Sequence, residues 1–209
     1  MPHLESIKQK FGYLGADLLD EVIQYSQYQE IPKNTEILRE GQYIKVIPLV
    51  IEGAIKVFTR FKEKELLLYY IRPDESCIMS FAASRSNEPS KVFAITEVNT
   101  QALLLPISKI GSWFNNYPQF NSLFFRLYNE RYIDMLDTIN HLLFDKLDQR
   151  VLLHLKEKEE ISGNNIIKLT HKQIANELGT AREVISRIIK KLEKEQKLTQ
   201  LGNGIKLLS

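Results

Sequence analysis

The sequence predicts an α+β fold: an antiparallel β sandwich or barrel, then one long helix, then a winged helix-turn-helix. Three observations carry that prediction. Between Ile31 and Leu105, short apolar runs rich in Val, Ile, Leu, Tyr and Phe alternate with turn formers. After Tyr117-Pro118 the apolar spacing changes to threes and fours. Beyond Leu147-Asp148 the chain breaks into short helical segments and ends on two apolar runs joined through Gly202-Asn203-Gly204. No helical stretch alternates with the strands, which argues against a parallel, doubly wound sheet.

Strands are expected at Glu36–Leu38, Val46–Ile51, Ala54–Phe58, Leu66–Ile71, Val92–Ile95 and Ala102–Leu105, punctuated by Gly41, Gly53, Pro73-Asp74, Pro89 and Pro106. In the long helix, Phe125, Tyr128, Tyr132, Met135, Ile139 and Leu142 form one stripe. A second stripe, Phe120, Phe124 and Leu127, points elsewhere. A helix with two apolar faces must bury both, so one is expected on the strand domain and the other on a partner helix. The simplest partner is a second copy, which predicts a twofold homodimer; cover by the C-terminal domain is the alternative.

The expected domains are 1–116 (strands), 117–145 (long helix) and 146–209 (winged helix). Gln149–Glu157 reads as a helix and Ile166–Leu169 as a short strand. Thr170-His171-Lys172-Gln173 is a capping box opening a helix that runs to Leu178. Gly179 suits the left-handed position that ends it. Thr180-Ala181-Arg182-Glu183 reads as a second capping box, and the turn between the helices has the length of a helix-turn-helix.

With 209 residues, 44% hydrophobic and 26% charged, the chain has ample material for a core and is neither fibrous nor wholly disordered. No apolar run approaches the roughly 18–20 residues of a membrane span, and the N-terminus shows no secretory pattern. The single Cys77 forms no intrachain disulfide, so the cytoplasm is the expected location. The net charge of +2 hides an asymmetry. Residues 1–145 hold 15 Lys and Arg against 18 Asp and Glu, while residues 146–209 hold 13 against 8. A basic tail suits phosphates, although a solvated lysine face has the same composition.

In the second helix of the pair, Val184, Ile185, Ile188, Ile189 and Leu192 face the core with Ile174, Ala175 and Leu178, which leaves Arg182, Glu183, Ser186 and Arg187 outward at its start. That end enters the major groove in this motif. Arginine can bind guanine O6 and N7, glutamate can accept from cytosine N4, and serine can contact several edges. Thr170, Lys172, Thr180, Lys190 and Lys191, with Lys194 and Lys197, are placed for phosphates. For Glu183 the alternative is that it only closes the capping box. No nucleophile with a base, Walker loop, Gly-x-Ser-x-Gly or zinc motif is present, so no enzyme is expected.

The stretch Leu169-Thr170-His171-Lys172-Gln173-Ile174-Ala175-Asn176-Glu177-Leu178-Gly179-Thr180-Ala181-Arg182-Glu183-Val184-Ile185-Ser186-Arg187 resembles the helix-turn-helix signature of the Crp/Fnr superfamily of bacterial transcription regulators. Glu40-Gly41 and Glu52-Gly53-Ala54-Ile55-Lys56-Val57 stand where turn glycines of that family's β-roll fall, and the long helix resembles its dimerisation helix. The resemblance implies a jelly-roll-like β-roll that senses an effector, a homodimer on double-stranded DNA, and RNA polymerase as a partner. It implies that Glu183, Ser186 and Arg187 match the Fnr-type reader of a TTGAT-like half-site. Arg182 also fits the Crp-type, TGTGA-like reader.

The sensor end departs from the family pattern. Where cyclic-AMP-binding members carry an acid for the ribose and an Arg-Ser pair for the phosphate, this chain has Ile78-Met79-Ser80 and Glu88-Pro89-Ser90. An effector pocket is expected around Met79, Ser80, Ser90, Lys91, Tyr128 and Met135, but cyclic AMP is not expected, because a buried phosphodiester would lack its arginine fork. One cysteine excludes an iron–sulfur cluster of the Fnr type. A haem would call on Pro2, His3 and Cys77, and a buried structural cysteine is the simpler reading. No metal is expected, and His141 and His154 read as surface residues. Asp74 and Lys62-Glu63-Lys64 replace turn glycines, so looser turns are expected there. Signalling would shift the two C-terminal domains about a hinge at Leu143–Leu147. A ligand-independent regulator whose roll is filled by Phe81 and Phe93, and a cyclic-nucleotide-binding-type signalling module that does not act on DNA, are the alternatives.

Overall fold

Val46 to Glu52 and Thr100 to Pro106 are apolar on nearly every residue, as a strand buried on both faces must be, and they pair antiparallel with Leu49 opposite Leu103. In the computed structural model, which describes residues 4–61, 64–144 and 146–208, the chain divides into two compact units. One comprises Met1–Val57 with Tyr69–Asp134, the other Phe58–Leu68 with Met135–Ser209.

The first unit opens with α1 (Leu4–Phe11) and α2 (Ala16–Tyr25). The strands follow as β1 (Gln27–Ile31), β2 (Glu36–Leu38), β3 (Val46–Glu52), β4 (Ile55–Phe61) and β5 (Lys64–Ile71). Next come α3 (Ile78–Ser86), β6 (Phe93–Thr96), β7 (Thr100–Pro106), α4 (Ile107–Asn116) and the long α5 (Pro118–Phe144); β4, β5 and α5 are each divided between the two units. One sheet has the order β1-β7-β3 and the other β2-β6-β4-β5. Ile47, Leu49, Ile55, Val57, Leu103 and Leu105 are buried, each worth about 1.5–3 kcal/mol. Gly53 turns the chain from β3 to β4 with φ +94°, and a Cβ there would meet Asn99 O at 2.5 Å, so only glycine fits.

Each expected strand of the roll is present, displaced by at most a few residues. β1 is an addition: its polar sequence hides it, because only Ile31 of its five residues turns to the core. The helices α1 to α4 are additions too. The turn at Asp74 is not looser than a glycine turn. Asp74 itself takes φ +68°, and its N–H donates to Val50 O at 2.9 Å. Aspartate tolerates that region better than most residues. Lys62 and Glu63 lie outside the described residues, as do Pro2, His3 and, within the expected hinge, Asp145.

Along α5 the two stripes separate as the spacing requires. Phe120, Leu123, Phe124 and Leu127 are buried, with Phe120 edge-on to Trp113 at 5.7 Å and Phe124 stacked on Phe81 at 4.0 Å between ring centroids. Arg131 ties the helix down. It donates to Tyr70 O at 3.1 Å, pairs with Glu75 at 3.3 Å and lies over the Tyr69 ring. No helix among the described residues is long and apolar enough to cross a membrane.

The second unit contains α6 (Leu147–Ser162), α7 (His171–Glu177), α8 (Arg182–Lys194), β8 (Leu198–Leu201) and β9 (Gly204–Leu207). Val151, Leu155, Ile167, Ile174, Ala175, Ile185, Ile189, Leu192, Leu198 and Ile205 form its core. The expected strand at Ile166–Leu169 is not one. Only Ile167 pairs, in a bridge to Ile205, because β9 offers that segment little more than Ile205 N–H and C=O.

Candidate nucleic-acid interface

The geometry of α7 and α8 begins with their ends. Thr170 caps α7: the Gln173 N–H donates to its hydroxyl at 3.2 Å, and the Thr170 N–H donates to Gln173 Oε1 at 2.9 Å. Gly179, at φ +67°, ends it. The Thr180 N–H donates to Ala175 O at 2.8 Å and the Gly179 N–H to Asn176 O at 3.1 Å, the paired bonds of a Schellman ending. Thr180 therefore terminates α7 and does not cap α8. The second capping box is absent: the N-cap is Ala181, without a side-chain bond, and the pattern stands one residue too early. Glu183 is thereby released from a capping role and exposed in the first turn of α8.

Ile185, Ile189 and Leu192 bury one side of α8, which leaves Arg182, Glu183 and Arg187 exposed on the other. Ser186 is half-buried. Lys172 and Lys190 are exposed. Lys191 is exposed too; it forms an ion pair with Asp148 and approaches Glu195 at 3.7 Å. The Lys191 hydrogen bond holds the Asp148 carboxyl below its usual range, and Asp148 in turn raises Lys191. Lys197 pairs with Glu195 at 2.8 Å.

A groove of about 650 Å³ runs between the β8–β9 wing, the start of α7 and Arg182. Lys168, Thr170, His171, Lys172, Gln200 and Asn203 line it, and no carboxylate does. Such a wall can hold an extended anion. Lys168, His171 and Gln200 were not singled out from the sequence; a hairpin signal locates the wing but not what it faces.

Beneath this surface lies a charged cluster that sequence reasoning missed. His154 is buried rather than at the surface, because α6 turns it inward. Its Nε2 lies 2.9 Å from Glu177 Oε2, and Lys158 Nζ lies 3.1 Å from the same oxygen. Glu177 stands inside the helix-turn-helix signature, where nothing local marks it as an inward residue. His141 and Leu142 lie outside the described side chains.

In the roll, the expected effector residues do not converge. Ser80 lines a cavity of about 220 Å³ together with Ile31, Leu38, Pro48, Ile71 and Ala94. Ser90 is buried with its hydroxyl donating to Val92 O at 2.7 Å, and Met79 does not line the cavity. Lys91 points away, exposed and paired with Glu88 at 3.4 Å. Tyr128 and Met135 are exposed on α5. Phe81 does not fill the roll; it packs on Phe114 and Phe124. Cys77 is buried in the cavity wall, where its sulfur accepts the Ser80 N–H at 3.4 Å as the cap of α3. Among the described residues no group of His, Cys, Asp and Glu is arranged to hold a metal ion.

On α5, Phe125, Tyr128, Tyr132, Met135 and Ile139 are all exposed, with Phe125 at 70%. Five large apolar side chains in one row leave a face unburied within the chain.

Residues 149–209 match the Crp-like helix-turn-helix domain. Three solved structures share the fold over nearly the whole chain. A Crp/Fnr-family transcriptional regulator from Eubacterium rectale is 24% identical, covering 95% of this chain and 93% of its own, with a TM-score of 0.84. The c-di-GMP-responsive global regulator CLP of Xanthomonas campestris is 16% identical, covering 92% and 99%, at 0.79. A Crp/Fnr-family transcriptional regulator from Thermus thermophilus is 20% identical, covering 88% and 94%, at 0.75. No curated protein matches the sequence.

Proposed function

We propose that this chain, with a Crp-like helix-turn-helix domain at residues 149–209 on a fold shared with Crp/Fnr-family regulators, is a DNA-binding transcription regulator. It acts as a homodimer on a palindrome with a TGA-containing core, TTGAT- or TGTGA-like. The observation that carries this reading is the start of α8, where Arg182, Glu183 and Arg187 stand exposed while Ile185, Ile189 and Leu192 are buried, beside a groove lined by cations. Arg182, Glu183, Ser186 and Arg187 read bases; Thr170, Lys172, Thr180, Lys190 and Lys191 hold phosphates. The free row Phe125, Tyr128, Tyr132, Met135 and Ile139 supports a second copy along α5, which sets two recognition helices about one turn of DNA apart, ~34 Å. RNA polymerase is the further partner.

The effector of the roll is not cyclic AMP, haem or an iron–sulfur cluster. The roll's cavity is lined by apolar side chains together with Gln29, Thr35, Glu36 and Ser80 and by no cationic side chain, so a phosphodiester there would go uncompensated and would face the Glu36 carboxylate. Fluorescence anisotropy against a TGA-containing palindrome and against random DNA of equal length tests the main reading. A preference of about 10³-fold or more is expected, and equal affinity for both would overturn it. Sedimentation of the free chain as a monomer at micromolar concentration would overturn the homodimer.

A further inference from the structure

Ser186 lies one turn into α8, and its hydroxyl meets two groups. Oγ is 3.0 Å from the carbonyl oxygen of Arg182 and 3.0 Å from Nδ1 of His171, at the start of α7. A serine hydroxyl has one proton and two lone pairs. The carbonyl can only accept, so the proton goes to Arg182, a back-bond common for serine in helices. His171 Nδ1 is then the N–H that donates to Oγ. No carboxylate lines the groove that His171 shares with Lys168, Lys172 and Arg182, so no acid there competes for that N–H. One lone pair of Ser186 is left.

We infer, resting on the reading of α8 as the DNA-contacting helix, that His171 is a positioning residue that makes Ser186 an obligate hydrogen-bond acceptor. Ser186 therefore recognises an exocyclic amino group, adenine N6 or cytosine N4, and not a keto oxygen. Both amino groups face the major groove. A serine free to rotate contacts either kind of edge and discriminates poorly. Here the histidine removes that freedom and turns a permissive side chain into a selective one.

The test uses the full chain and four variants, Ser186→Ala, His171→Ala, His171→Asn and His171→Gln, titrated against a palindrome selected by the native protein and against copies changed at each half-site position. The pair at which Ser186→Ala loses discrimination, by about tenfold, is the one Ser186 reads. Deleting the amino group there, with purine for adenine or 2-pyrimidinone for cytosine, should weaken the native protein about tenfold and leave Ser186→Ala unchanged. His171→Ala should relax the same pair. His171→Asn should restore discrimination, because its amide nitrogen takes the place of Nδ1, whereas His171→Gln reaches the place of Nε2 and should not. The ¹⁵N shifts of the His171 ring in the free chain should show the proton on Nδ1.

A bare Nδ1, a Ser186→Ala variant that relaxes no pair, indifference to the amino group, or equal behaviour of the Asn and Gln variants each overturns the inference while leaving α8 as the reader. A chain that prefers no sequence at all overturns that reading and this one together.

Discussion

The cavity inside the roll is walled by Ile31, Leu38, Pro48, Ile71, Ala94 and Leu104 with Gln29, Thr35, Glu36 and Ser80, whereas the groove beside the wing is walled by Lys168, Lys172, Arg182 and the amides of Gln200 and Asn203. An anion entering the first would lose its hydration and find no cation; in the second it meets several, with solvent still at hand. The difference teaches that charge distinguishes the two concavities: one carries a carboxylate and no cation, the other cations and no carboxylate.

Salt offers the harshest way to break that contrast. With about six phosphates contacted, raising salt from 50 to 200 mM should weaken DNA binding by about 10³-fold, measured by anisotropy, while uptake of an uncharged aromatic probe by the roll stays constant. A flat DNA curve would remove the groove from the interface. Next in size, Glu177→Ala should destabilise the winged-helix unit by about 3–5 kcal/mol in urea, because it strips the acid from buried Lys158 and His154. Unfolding of the roll in the same titration should not move.

Arg187→Ala should cost about 1–3 kcal/mol on the selected site and relax one base position, so an equal loss on random DNA would make Arg187 a phosphate contact. Ala94→Leu sharpens the other side of the comparison. Filling the cavity should lower probe affinity at a stability cost of about 1–3 kcal/mol, with DNA affinity unchanged, as followed by calorimetry. The smallest effect is expected at Asp148–Lys191. Asp148 is held below its ordinary range, so its contribution is present above the unfolded carboxylate range, near 4, and is lost as pH falls through the lowered value. Lys191 is raised, so its share disappears only as pH climbs beyond the ordinary lysine range. Stability of native and Asp148→Asn protein should therefore run parallel from pH 5 to 9 and converge in acid. Divergence at neutral pH would place another group in control.

Much of the winged helix was legible because its signals are local. Thr170 and Gln173 cap one another within a single turn, Gly179 supplies a left-handed residue, and α8 alternates core and surface over consecutive turns. The second capping box failed for an equally local reason: the Schellman ending of α7 claimed the Thr180 amide first, so α8 could begin only at Arg182. α4 could have been found, since Ile107, Ile110 and Trp113 stand three apart. β1 could not, because its exposed Gln and Glu residues become a strand only when β7 supplies the ladder.

The order of its residues alone determined that this protein is a strand-rich half, a two-faced helix and a basic helix-turn-helix, because period and turn chemistry act over a few residues. Tertiary structure decided what those elements enclose: that His154, Lys158 and Glu177 gather in the dark, that Lys91 leaves the roll, and that His171 reaches Ser186. Such juxtapositions depend on how separate elements cross in space, and no spacing along the chain encodes them.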